Sequence, residues 1–168
     1  MLDYSLNTYR GRTLEDILCE GNPVPPLIKK GMQNATICSM YMERYIGGDN
    51  FEDATGYDYF LDDYWTVKVE LKCTWTEVGD SHRLCVGSFQ QKKGLFHFMH
   101  VVDMVNDREF MIPHDDWFDR LGKRKKFYWN ISYMTENDRV CKEDTLWLLK
   151  YEVKDNGFHP CNVVTLNI

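Results

Sequence analysis

The chain has 168 residues, the size of one ordinary domain and enough to bury a real core. A hydrophobic content of 43% with 27% charged residues excludes a disordered polyelectrolyte, and no apolar run is long enough to cross a bilayer. The net charge of -6 argues against a broadly basic nucleic-acid binder, although carboxylates gathered in one metal cleft lower the sum without removing a basic rim.

In chain order, residues 1–22 carry a loose helical pattern, with Leu14, Ile17 and Leu18 on one face and Gly21 near a stop. Residues 22–26, Asn-Pro-Val-Pro-Pro, are extended, because each proline disfavours helix in the residue before it. A second helix is predicted over 27–45, with Ile37, Met40, Tyr41 and Tyr45 at helical spacing and Gly47-Gly48 ending it. Residues 49–56 read as a polar loop. After it the period changes to two: a strand at 57–61, a turn at Asp62-Asp63 and a second strand at 64–75. In that strand Val67, Val69, Leu71 and Cys73 point one way, and Lys68, Glu70, Lys72 and Thr74 point the other. Strands follow at 84–91, 96–105 and 109–112, then a short helix from Pro113 and Asp115-Asp116 through Leu121, with Gly122 as its stop. The remaining strand-like runs are 127–134, 146–153 and 163–168. The expected architecture is one α/β domain over 1–168: a helical part (1–48), a catalytic hairpin and sheet (56–121) and a C-terminal part (122–168).

Six cysteines, Cys19, Cys38, Cys73, Cys85, Cys141 and Cys161, could form three disulfides, but the start has neither a basic region nor an apolar run. The expectation is a reduced, cytoplasmic protein with free thiols and no membrane partner, in which the sequons at Asn34 and Asn130 are incidental. Aromatics at 14%, including five Trp and ten Tyr, imply a heavily aromatic core or an exposed aromatic surface.

The chemistry lies on the charged face of the second strand. Glu70 and Lys72 are two apart and project to the same side. A short turn at Asp62-Asp63 would bring Asp58, on the preceding strand, across from the region of Glu70. Two carboxylates and an ammonium on one patch suit metal-assisted phosphodiester hydrolysis, because carboxylate oxygens are hard ligands for Mg²⁺, with Mn²⁺ able to substitute. Lys72 would hold the attacking water or neutralise the phosphoryl oxygen, and Glu43, near the end of the preceding helix, could reach the same cluster. A second Glu-x-Lys, Glu152-Val153-Lys154, lies near the C-terminus with no strand-turn-strand before it. Asp62 or Asp63 rivals Asp58 as the first aspartate.

Residues 56–60 (Gly-Tyr-Asp-Tyr-Phe) through 69–73 (Val-Glu-Leu-Lys-Cys) resemble the core hairpin of the PD-(D/E)XK nucleases. That superfamily includes restriction enzymes, phage and homing endonucleases and junction resolvases. The resemblance covers about residues 36–121, and the chain departs from the motif in having Tyr57 where the nominal proline stands. It implies a restriction-endonuclease-like three-layer core, with a central mixed β-sheet flanked by helices. It implies Asp58, Glu70 and Leu71 as metal ligands, and Asp58, Glu70, Lys72 and Glu43 as catalytic residues. It further implies a bacterial or phage setting, sequence-specific cleavage of double-stranded DNA, and a homodimer. A structure-specific nuclease of the junction-resolvase kind and a non-catalytic interaction protein are the alternatives.

Trp75, Arg83, Gln90, Gln91, Lys92 and Lys93 flank the hairpin and are expected to track DNA. The cluster Lys123, Arg124, Lys125 and Lys126, next to Phe127, Tyr128 and Trp129, is expected to grip phosphates, against the plainer reading of a solvated loop. His159-Pro160-Cys161 with Cys141 lacks the Cys-x-x-Cys pair of structural zinc sites, and His97 and His100 fall on opposite faces of one strand. No phosphate-cradling glycine loop, nucleophile elbow or His-Glu-x-x-His run is present.

Overall fold

The computed structural model describes residues 8–13, 16–17, 35–87, 90–134 and 141–153. Strands β1 (Thr8–Tyr9) and β2 (Arg12–Thr13) form a small antiparallel hairpin where a helical start is expected. Arg10 and Gly11 both have positive φ (51° and 75°), the left-handed pair that a tight hairpin turn uses. Asp107 accepts hydrogen bonds from both of their N–H groups, at 2.8 and 3.2 Å, so the turn is fixed by a residue far along the chain.

Helix α1 spans Ala35–Gly47, and the first part of its predicted range, 27–34, lies outside the described residues. Cys38 and Met42, one turn apart, are fully buried. A Cβ on Gly47 would stand 2.9 Å from the Cβ atoms of Phe51 and Tyr59, so the missing side chain lets the helix end close against the strands that follow. Those strands are β3 (Phe51–Ala54) and β4 (Tyr57–Phe60), an antiparallel pair joined through Thr55 and Gly56. β3 replaces the loop expected at 49–56. It is an edge strand, where charges such as Glu52 are tolerated and the apolar alternation is lost.

β5 (Lys68–Thr74) begins later than its predicted 64–75, because Asp62 closes a turn by accepting from the N–H groups of Thr66 and Val67 and the Thr66 hydroxyl. β6 (Arg83–Gly87) follows, then β7 (Phe98–Asp103), β8 (Arg108–Pro113), α2 (His114–Leu121), β9 (Lys126–Asn130) and α3 (Lys142–Leu149). The strand expected at 146–153 is therefore mostly helix. Its apolar run has no clear period, and the acidic pair Glu143-Asp144 in the first turn suits a helix N-terminus. The run 163–168 lies outside the described residues.

The central sheet has the order β3-β4-β5-β7-β8, with β5 and β7 parallel and the other pairs antiparallel. β6 and β9 pair separately. Among the described residues the chain is thus a mixed α/β protein with a central mixed sheet and three helices. One face of the sheet packs Tyr59, Val69, Leu71 and Val102 against Cys38 and Met42 of α1. The other gathers Met99, Val101, Phe110 and Ile112 with residues of β6, β9, α2 and α3, among them Leu84, Trp117, Trp129 and Leu148. The charged side of β5 is therefore not a solvated surface. All six residues of β7 are buried, as befits a strand covered on both faces. Among the described residues no helix is long and apolar enough to cross a membrane, and Cys73, Cys85 and Cys141 are free thiols.

Candidate active site

β4 and β5 pair Tyr59 with Val69 and Phe60 with Lys68, and Asp58 is the next residue of β4 beyond these pairs. There the Asp58 carboxylate accepts the main-chain N–H of Leu71, at 2.6 Å. The Leu71 side chain is buried on the α1 side, so only its main chain can serve the site. Glu70 and Lys72 project together from the opposite face, and Glu70 is 0% exposed. Its Oε1 receives the ammoniums of both Lys72 and Lys92, each at 2.5 Å. Its Oε2 is buried and has no hydrogen-bond partner.

A second buried glutamate shows what full satisfaction looks like. Glu109 accepts from Tyr9 (3.0 Å) and His100 (2.8 Å) on Oε2 and from Arg10 (3.0 Å) on Oε1. Burial pushes its pKa up, but the His100 hydrogen bond and charge, Arg10 and the Tyr9 hydroxyl reverse this and hold it at about 2. Glu109 is structural. Glu70 leaves one buried oxygen without a protein partner, as does the Trp117 Nε1, and such a group carries a desolvation cost.

The neighbouring acids are raised first by burial and then by the charge of nearby carboxylates. Burial and the charge of Glu70 raise Asp58 to about 6, against the opposing pull of the Leu71 N–H, Lys72 and Lys92. Burial and the charge of Asp58 raise Glu43 to about 7, with Glu70 adding to the rise and Lys72 and Lys92 opposing it. Comparison with family models, curated proteins and solved structures returns no match.

Whether a divalent ion suits these residues turns on the donor set. Among the described residues no three His, Cys, Asp or Glu side chains form a ready-made cage. Mg²⁺ does not require one: it binds through one or two carboxylates and fills its shell with water and substrate phosphate. The unpartnered Glu70 Oε2 beside Asp58 fits that pattern. An open cavity of about 610 Å³ is lined by Tyr57, Lys68, His97 and His114, and by none of Glu43, Asp58, Glu70, Lys72 or Lys92.

The raised Asp58 gives a stability prediction. Above pH 6 its ionised form is held at a cost, and below about pH 4 the folded and unfolded chains are both protonated, so the cost vanishes. Asp58→Asn is therefore expected to stabilise the fold at pH 8 by about 1–2 kcal/mol and to bring no gain at pH 4. Urea unfolding at the two pH values checks this, and equal stability of variant and parent at pH 8 would contradict it.

Other expected site residues are distributed as follows. Asp62 is occupied in closing its turn, where burial pushes its pKa up but the hydrogen bonds from Thr66 and Val67 hold it down, and Asp63 is exposed. Glu152 is clamped by Arg108 at 2.7 and 2.8 Å, and Lys154 lies outside the described residues, as do His159 and Cys161. His100 faces Tyr59 and Glu109 in the core. Trp75 is a correction: it is 6% exposed and donates its ring N–H to Ser39, so it cannot track DNA. Gln90 spends its amide on the carbonyls of Gly122 and Arg124. Arg124 is bound to Asp144 and to the Arg120 and Leu121 carbonyls, clipping α2 to α3. Arg83 lies over the Tyr128 ring. Gln91, Lys93, Lys123, Lys125 and Lys126 are exposed. Lys92 belongs inside the site rather than on a DNA track. Its contact with Glu70 spans 22 positions and left no mark in the local pattern.

Proposed function

We propose that the chain is a Mg²⁺-dependent DNA endonuclease of the PD-(D/E)XK kind, with a restriction-endonuclease-like core and double-stranded DNA as substrate. The observation that carries this reading is the buried Glu70 carboxylate, which anchors the Lys72 ammonium with one oxygen and leaves the other unpartnered beside Asp58.

Asp58 and Glu70, with the Leu71 main chain, would hold the metal, and Glu43 would add a further carboxylate. The bound metal supplies the charge that acidifies an attacking water and stabilises the pentavalent phosphorus. Lys72, fixed on β5 and neutralised by Glu70, holds that water or screens the phosphoryl oxygen where negative charge develops. Because Glu70 is covered on all sides, the pair works away from bulk water, where its electrostatics are least screened. The exposed Lys93, Lys123, Lys125 and Lys126 would contact DNA phosphates, giving binding that weakens steeply with salt. Cutting both strands calls for two such sites, hence a homodimer.

The test is nicking of supercoiled plasmid in Mg²⁺ or Mn²⁺, expected in the parent and abolished by Asp58→Ala. Preference for branched over linear duplex would shift the reading to a structure-specific nuclease. Absence of cleavage on plasmid, linear and branched DNA alike would end it in favour of a binding protein, a reading favoured by the exposed Tyr64 (87%) and Trp65 (55%) at the β4–β5 turn.

A further inference from the structure

We propose that Lys92 is an exchangeable counter-ion of Glu70, which occupies the carboxylate while no divalent cation is bound and yields when one arrives. The inference rests on the metal site of the proposed function and concerns the part of it that Lys92 controls.

Both ammoniums reach the same oxygen at 2.5 Å, so they repel one another while sharing one acceptor. Lys72 has the fixed approach. It lies two residues from Glu70 on β5, a strand paired on one side with β4 and on the other with β7. Lys92 reaches in from a single 3-10 turn, Gln90–Lys92, that belongs to no sheet. That turn is anchored by the two Gln90 amide bonds to Gly122 and Arg124, each 3.0 Å, and by Leu95 N–H donating to the Lys92 carbonyl at 3.0 Å. The backbone of Lys92 is thus placed from outside, while its four-carbon stem remains the hinge on which the ammonium can turn.

Charge counting points the same way. A divalent cation would add two positive charges beside two ammoniums that already share one carboxylate oxygen. The least fixed ammonium is then driven out. The turn that bears Lys92 is tied through Gln90 to the loop that carries Lys123 and Lys125, so the displaced ammonium stays on the side from which phosphate would approach. Lys92 is accordingly a positioning residue: it holds the Glu70 carboxylate in place until metal arrives.

The experiment is calorimetric titration of the full chain with MnCl₂, in the absence of DNA, for the parent, Lys92→Met, Lys92→Arg, Gln90→Ala and Glu70→Gln. Removal of one charge a few ångströms from the ion is expected to tighten Mn²⁺ binding about tenfold in Lys92→Met. Lys92→Arg, which keeps the charge, is expected to stay within about twofold of the parent, while Gln90→Ala, which frees the turn, is expected to tighten binding by a smaller factor. Circular dichroism and thermal unfolding establish that each variant is folded. A folded Lys92→Met with unchanged or weaker Mn²⁺ affinity overturns the proposal. If that variant does not fold, an unchanged Gln90→Ala overturns it instead. A parent that takes up no more Mn²⁺ than Glu70→Gln overturns the metal site itself, and with it both readings.

Discussion

Lys72→Met is expected to remain folded and to nick plasmid DNA about a thousandfold more slowly than the parent, the scale lost when a group aimed at developing charge is removed. Survival of the fold follows from the geometry. Glu70 retains the Lys92 ammonium on the same oxygen, so no unpaired buried carboxylate is created. The loss of rate follows from the position of Lys72, which is fixed on β5 on the same face as Glu70. Lys72→Arg is expected to recover little, because a planar guanidinium cannot present the compact point charge of an ammonium in the same space. Single-turnover nicking with enzyme in excess separates this from altered DNA binding. A residual rate within tenfold of the parent would remove Lys72 from the mechanism.

Glu109→Ala is expected to cost about 3–5 kcal/mol of stability, because it strands several buried partners at once. His100, fully buried, would lose the acceptor for its Nε2, and Tyr9 and Arg10 would lose theirs. The hairpin of β1 and β2 is tied to the rest of the molecule through this carboxylate, Asp107 and Tyr45, so one of its attachments would be lost as well. Measured against the 5–15 kcal/mol typical of a domain, such a loss is large. The pH dependence has a defined sign. The folded pKa of Glu109 is lowered from 4.5 to about 2, so its contribution is complete above pH 4.5 and is lost as the pH falls toward 2. Urea unfolding between pH 7 and pH 2 measures both effects. If Glu109→Ala lies within 1 kcal/mol of the parent at pH 7, the network carries no weight in the fold.

The candidate site was readable wherever its geometry is local. Alternation along 67–74 places Glu70 and Lys72 on one face because a strand leaves no other choice, and the pairing of β4 with β5 brings the Asp58 carboxylate to the Leu71 N–H. Gly122 ends α2 with a positive φ of 57°, as its position after Leu121 suggests. Readability fails where neighbours decide. Leu146–Leu149 is apolar in either secondary structure, and packing of Thr145 and Leu148 into the second core selects the helix. β3 escapes notice because an edge strand need not alternate. The burial of Glu70 depends on β6, β9 and α2 closing over a charged strand face, and Lys92 arrives from a turn whose position is set by a glutamine bonded to another loop. Both are tertiary facts.

The turn between β4 and β5 has an optical consequence. Trp75, Trp117 and Trp129 are shut inside the protein and Trp147 is half-covered, whereas Trp65 stands more than half in water at the tip of the hairpin that carries Asp58. Its indole, stacked on Phe60, is the fluorophore that dissolved iodide would quench first. The chain thus carries its own lamp at one end of the β4–β5 hairpin, and whatever settles over that end will dim or shift its light without any label being attached.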